Sequence, residues 1–222
     1  YGERMIRHAR TALAEVHRLR EDLRSMRSGT EGWIHVGVLP ASASVLLPHA
    51  LALLKGRTPG TRVLVTEGTT HTLLPELWRG ALDMVVGRLP PKTAVVGLEE
   101  VELLEEPVML MTRPQHPLAK SRRLSWSDLK PYPWVLPPTG SLLREPFERE
   151  LERHGFALPS DVIETLSTHL TRAYLNMTDA IGVMAGALAT DPSQPLHVLP
   201  IALPKLMRPA GVLRRRGSAP RA

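Results

Sequence analysis

The chain has 222 residues, 43% hydrophobic and 23% charged, a balance that excludes wholesale disorder and suits one large domain or two lobes of about 100 residues each. Cysteine is absent and aromatics make up 4%, which removes disulfides and thiol chemistry and leaves little for a base-stacking surface. The net charge of +6 is concentrated at the two ends, with seven Arg against four acids in residues 1–28 and no acid in residues 205–222. The stretch between is slightly acidic, whereas a phosphate-tracking domain carries its positive charge on the folded body. Arg214–Arg216 accordingly read as a solvated strand end.

Residues 3–27 contain neither Gly nor Pro and read as one helix of about seven turns. Ile6, Ala9, Leu13, Val16 and Leu23 recur at alternating spacings of three and four, with Arg20 at the missing seam position. That seam is too narrow for a globular core and predicts pairing with another helix, from a second copy. The plain alternative is a surface helix on its own domain. Gly29, just beyond, suits a left-handed cap.

After Gly32 short apolar runs alternate with helical patterns. Strands are predicted at Trp33–Leu39, Arg62–Thr66 and Leu82–Val86, with helices at Val45–Leu54 and Thr72–Trp78. In the first helix Leu46, Leu47, Ala50, Leu51 and Leu54 face inward. This βαβαβ order, with continuous apolar strands, implies a parallel sheet covered on both faces. Further strands are predicted at Leu98–Leu104 and Val108–Thr112. A second α/β cycle follows, with strands at Trp134–Leu136, Val162–Glu164 and Ile181–Met184 and helices at Leu142–His154 and His169–Asn176. Leu196–Leu199 and Val212–Arg214 are the last strands, and Pro-rich breaks separate the blocks. No apolar run reaches the roughly 18 residues needed to span a bilayer, and the first ten residues hold no signal-peptide core. Opening on Tyr rather than Met suggests a processed or shortened chain.

The order of motifs resembles a known family. Gly32-Trp-Ile-His-Val-Gly-Val, Leu46-Leu-Pro48, Thr58-Pro-Gly60, Glu67-Gly68 and Leu77-Trp-Arg-Gly-Ala-Leu-Asp83 resemble the first effector-domain lobe of LysR-type transcriptional regulators. His116-Pro117-Leu118, Pro137-Pro-Thr-Gly-Ser141 with Leu143-Arg144, and Gly182-Val-Met-Ala are similar to the second lobe. The resemblance covers about residues 3–216. It implies an α/β, two-lobed type 2 periplasmic-binding-protein-like fold with an N-terminal linker helix, and a ligand in the cleft between lobes. The expected divisions are a linker or dimerisation helix at 1–29, lobe I at 32–108 with 204–222, and lobe II at 109–203. The family's DNA-binding winged helix precedes the linker helix and is missing here, so DNA is reached only through that absent domain. The implied assembly is a homodimer or homotetramer in the cytoplasm, with no membrane partner.

The residues themselves point to a ligand site. In open α/β sheets, ligands sit beyond the carboxyl ends of strands, where helix N-termini present unpaired N–H groups. Four such junctions are rich in small hydroxyl residues: Ala41-Ser42-Ala43-Ser44, Glu67-Gly68-Thr69-Thr70, Thr139-Gly140-Ser141 and Ser167-Thr168. The competing reading of each is ordinary helix capping, and either Thr69 or Thr70 can point inward. Arg144 can reach a ligand carboxylate or pair with Glu148, four residues on. Glu67 can accept from sugar hydroxyls or stand exposed at a strand end. No nucleophile elbow, phosphate loop, dinucleotide fingerprint or zinc motif is present, and the nine His lack metal-ligand spacing. No catalytic residue, metal or cofactor is therefore expected, and the resemblance implies a sensor whose effector is a small organic molecule such as a sugar, an aromatic acid or another carboxylate. The alternative is an extracytoplasmic solute-binding protein, which has no use for a pairing helix.

Overall fold

The computed structural model describes Met5, Val16, residues 32–190 and residues 194–217. Met5 and Val16 are helical; the rest of the helix expected over 3–27, with its pairing seam, lies outside the described residues. Two compact units divide the chain, one comprising residues 1–104 and 209–222, the other residues 105–208.

The first unit is built on a five-stranded sheet of order β2-β1-β3-β10-β4. Its strands are β1 (Trp33–Val38), β2 (Arg62–Glu67), β3 (Met84–Arg88), β4 (Leu98–Leu104) and β10 (Ala210–Arg215). β2 and β3 run parallel to β1, while β10 is antiparallel to both its neighbours. The helices are α1 (Pro40–Ser44), α2 (Leu46–Arg57) and α3 (Thr70–Arg79), with a 3-10 turn at Lys92–Val95. Both faces of the sheet are covered, which is why its inner strands read as unbroken apolar runs. On one face Val36, Val38 and Val86 pack with Leu47 of α2. On the other, Val85, Leu89 and Leu213 pack with Leu73, Leu74 and Leu77 of α3. The inward face expected of α2 is only partly realised: Leu47 is buried, Leu46, Leu51 and Leu54 are half-buried, and Ala50 is exposed. At the outer edges, β2 leaves Leu64 and Val65 exposed, while β4 carries Glu99, Glu100 and Glu102, charges that discourage edge-to-edge pairing.

The second unit repeats the plan with sheet order β7-β6-β8-β5-β9. Its strands are β5 (Val108–Thr112), β6 (Trp134–Leu136), β7 (Val162–Glu164), β8 (Ile181–Ala185) and β9 (His197–Val198). Helices α4 (Arg144–Arg153) and α5 (Thr168–Met177) connect the parallel strands. Trp134, Phe147, Leu151 and Phe156 are at the centre of its core, while Leu175 of α5 lies over Gly182 so closely that a Cβ there would come within 2.8 Å. His116 is buried; its Nδ1 accepts from the Leu118 N–H and its Nε2 donates to the Asp179 carbonyl, both at 3.1 Å. Burial pushes its pKa below the usual value, and the neutral ring locks the His-Pro-Leu turn in place.

The chain changes unit after Leu104 and again at Pro209, several residues away from the exchanges expected at 108/109 and 203/204. The pairing of β5 with β8 and β9 places that strand wholly in the second unit. Leu203, Leu206 and Met207 pack on the second core, which delays the return.

Arg214–Arg216 differ from the expected solvated strand end. Arg214 donates to both oxygens of Glu99, at 2.7 and 3.0 Å, and that bond holds the Glu99 carboxyl below its ordinary pKa. Arg215 donates to the carbonyls of Leu77 and Leu82, and Arg216 to that of Leu98. These guanidiniums tie β10 to its surroundings.

Candidate functional site

In each unit the parallel strands end on one edge of the sheet, and the sequence-predicted residues lie in the loops that follow. In the first unit, Val38 of β1 stands opposite Glu67 of β2, and the Gly68 N–H donates to the Val38 carbonyl at 3.1 Å. The two loops therefore adjoin. α1 opens on Pro40, whose fixed φ suits the first helical position, and the Ser42 and Ala43 N–H groups both bond the Leu39 carbonyl at 3.0 Å. Ser42 is 5% exposed, and its hydroxyl has no hydrogen-bond partner among the described residues. The hydroxyl is not one of the fully enclosed side-chain atoms that lack a partner, which among the described residues are Trp134 Nε1 and Arg215 Nη2, so it keeps contact with solvent at the end of β1. Ala41 beside it is half-buried.

Thr69 has a different task. Its hydroxyl accepts from the Thr72 N–H while the Thr72 hydroxyl accepts from the Thr69 N–H at 3.0 Å, a reciprocal cap on α3. Thr70 is the first residue of that helix and is half-buried. Glu67 is exposed.

In the second unit, the Thr165 N–H bonds the Leu136 carbonyl at 2.9 Å, bringing together the loops that follow β6 and β7. Pro138–Ser141 forms a turn closed by the Ser141 N–H on the Pro138 carbonyl, and Gly140 has φ of 83°, a value that favours glycine. Thr139 and Gly140 are exposed. The Ser141 hydroxyl accepts from the Arg144 N–H at 3.3 Å. Ser167 caps α5 by accepting from the Leu170 N–H at 3.1 Å, and Thr168 opens the helix. Thus each unit collects its own predicted residues at one sheet edge. The capping reading holds for the side chains of Thr69, Ser141 and Ser167, but not for those of Ser42 and Thr139.

Of the two readings of Arg144, the pairing with Glu148 is present. Arg144 is 8% exposed and donates to Glu148 Oε1 at 2.6 Å, to Glu164 Oε1 at 2.7 Å and to the Pro137 carbonyl at 3.0 Å. Burial alone lowers its pKa, but the hydrogen bonds to Glu148 and Glu164 together raise it above the ordinary value. The guanidinium thereby joins α4 to the ends of β6 and β7 and shapes the 137–141 loop from behind. Replacing it by Met keeps most of the stem and removes the bonds; the expected cost is about 2 kcal/mol, read as a lower urea midpoint at unchanged m-value. An unchanged midpoint contradicts the tie.

α1 was not foreseen in the sequence, although Pro40 immediately after a strand was a usable signal. A groove of about 880 Å³ lies in the first unit beside β4, lined by Lys92, Val96, Glu99, Glu102 and Arg216 among others, away from every predicted site residue. Among the described residues there is no cluster suited to a metal ion, and no helix is long and apolar enough to cross a membrane.

The two sheets and their connections define an α/β fold of the periplasmic-binding-protein-like type. The model of the LysR substrate binding domain matches residues 27–222, and the chain belongs to that family. It is 32% identical over 190 residues to the HTH-type transcriptional regulator GbpR of Azospirillum brasilense, covering 85% of this chain and 56% of that protein. Full-length CbnR on its target DNA is similar in structure, with a TM-score of 0.69 at 19% identity over 99% of this chain and 76% of that one. The BenM effector binding domain with its effector benzoate gives 0.66 at 20% identity, over 87% and 86%. The chain spans 53–63% of the length of the first curated relatives it matches. These relatives are transcriptional regulators, not enzymes, which supports a regulatory sensing domain over the solute-binding alternative.

Proposed function

We propose that this chain is the sensing part of a bacterial LysR-type transcription factor and binds a small organic effector on the loops that follow its parallel strands. The observation that carries the reading is the Ser42 hydroxyl at the end of β1, which makes no hydrogen bond among the described residues and keeps contact with solvent. The candidate contacts are Ser42 and Ala41 with Thr69 or Thr70 in the first unit, and Thr139-Gly140-Ser141 with Ser167 and Thr168 in the second. Small hydroxyls and helix-end N–H groups suit a sugar, an aromatic acid or another carboxylate, and benzoate on BenM is an instance of the second class. Arg144 takes no direct part.

The rest of the reading follows from family membership. The chain works in the cytoplasm as a homodimer or homotetramer paired through residues 1–29, and effector binding reorients the linker helices that carry the DNA-binding heads. Thermal unfolding of the chain against a panel of sugars, sugar acids, aromatic acids and small dicarboxylates tests the proposal. One class should raise the midpoint saturably, with about 2.7 kcal/mol of stabilisation at a hundredfold excess over Kd. No response across all classes contradicts it.

A further inference from the structure

Once Arg214–Arg216 are tied into the first unit, the free positive charge of the described fold lies elsewhere. Lys120, Arg122, Arg123 and Lys130 occur within eleven residues of the second unit, and all four are exposed. None of the four side chains has a hydrogen bond or ion pair among the described residues. By contrast, Arg79, Arg113, Arg149, Arg153 and Lys205 each face a carboxylate. The only acid between Arg113 and Lys130 is Asp128. Its Oδ2 is occupied at 2.7 Å by both the N–H and the hydroxyl of Ser125, bonds that hold its carboxyl below the ordinary pKa.

The segment is also held rigidly. Leu118, Leu124 and Trp126 pack against the core and Leu129 is fully buried. Two 3-10 turns, Pro117–Lys120 and Trp126–Leu129, fix the backbone on either side. Ser121 and Ser127 stand among the cations. Cations fixed in this way lose little entropy when they meet an anion.

We propose that Lys120, Arg122, Arg123 and Lys130 form a contact surface for the phosphate backbone of duplex DNA, auxiliary to the DNA-binding heads. Arginine forks and serine hydroxyls match phosphate oxygens, and no exposed aromatic in the segment offers base readout, so the contact is indifferent to sequence. This rests on the regulatory reading above: a molecule already holding a duplex presents it to the surface at high effective concentration, where a weak patch counts.

The test compares the chain with a variant carrying K120S, R122S, R123S and K130S, using an arbitrary 40-base-pair duplex across a salt series. Four phosphate contacts contribute a slope of about −3.6 to log K against log salt. The variant should lose about three of those units and bind at least tenfold more weakly at low salt. A control with R57S, R79S, K92S and R149S removes equal charge elsewhere and should bind as the parent does. Equal loss in the control, or full retention in the variant, overturns the proposal. Polyglutamate displacing the duplex charge for charge also overturns it and points to an acidic protein partner. Effector-induced stabilisation, measured on the same variant, reports separately on the sensing function and should be unchanged.

Discussion

Ser42→Ala is expected to leave the unliganded chain as stable as the parent while weakening effector binding at least tenfold. The two halves of this expectation have one cause. The hydroxyl makes no hydrogen bond among the described residues and is not an enclosed unsatisfied atom, so its removal sacrifices no bond inside the fold. If an effector supplies the missing partner, the same deletion loses a bond worth about 1.5–3 kcal/mol to a charged ligand, which is tenfold or more in affinity. Thr139→Trp should go further. Thr139 is exposed, so the indole is tolerated by the fold and obstructs the loop. Thr69→Ala provides the contrast, because its hydroxyl caps α3 and its loss should cost about 1 kcal/mol of stability. Urea titrations with and without effector separate the cases. A Ser42→Ala chain that binds as the parent does reduces that residue to packing.

Gly211→Ala should be the most damaging single methyl in the first unit. Gly211 lies on β10 between β3 and β4, where the pairing with β4 shifts register. A Cβ there would sit 2.3 Å from the Val101 carbonyl oxygen, with Leu89 Cδ1 at 3.1 Å. The close atom belongs to the backbone, so relief requires β4 and β10 to part. The expected loss is about 3 kcal/mol, the upper end for an overpacked core. Gly37→Ala meets the tip of Leu82 at 2.8 Å instead, a side chain that can turn aside, and should cost about 1 kcal/mol. Denaturant midpoints for the two variants test the ranking, and equal losses would show that the strands part more easily than the geometry implies.

The legible parts of the fold were those written in local pattern. The strands at Leu98–Leu104, Val108–Thr112, Trp134–Leu136 and Val162–Glu164 match their predicted spans because turn or polar residues bound each apolar run. α3 begins two residues earlier than its apolar period suggests, since the Thr69–Thr72 cap draws in Thr70 and His71. α1 and the four 3-10 turns are too short to show a period. The unit boundaries depend on which sheet β5 joins, a long-range pairing that leaves no local mark. At the site, the resemblance and the strand-end rule located the loops, but which hydroxyls cap and which stay free depends on three-dimensional partners. The same limit applies to charge. Arg144 and Arg214 look alike in sequence to Arg122 and Arg123, yet the first pair is bound to carboxylates and the second is not.

The central claim is that an effector engages the loops that follow the parallel strands. Hydrogen exchange of the chain, with and without a compound found by thermal stabilisation, tests it most directly. The account predicts that a single compound slows exchange at residues 41–44 and 68–72 of the first unit and at 139–144 and 167–171 of the second. Protection absent from these loops, or located beside β4 instead, would contradict it.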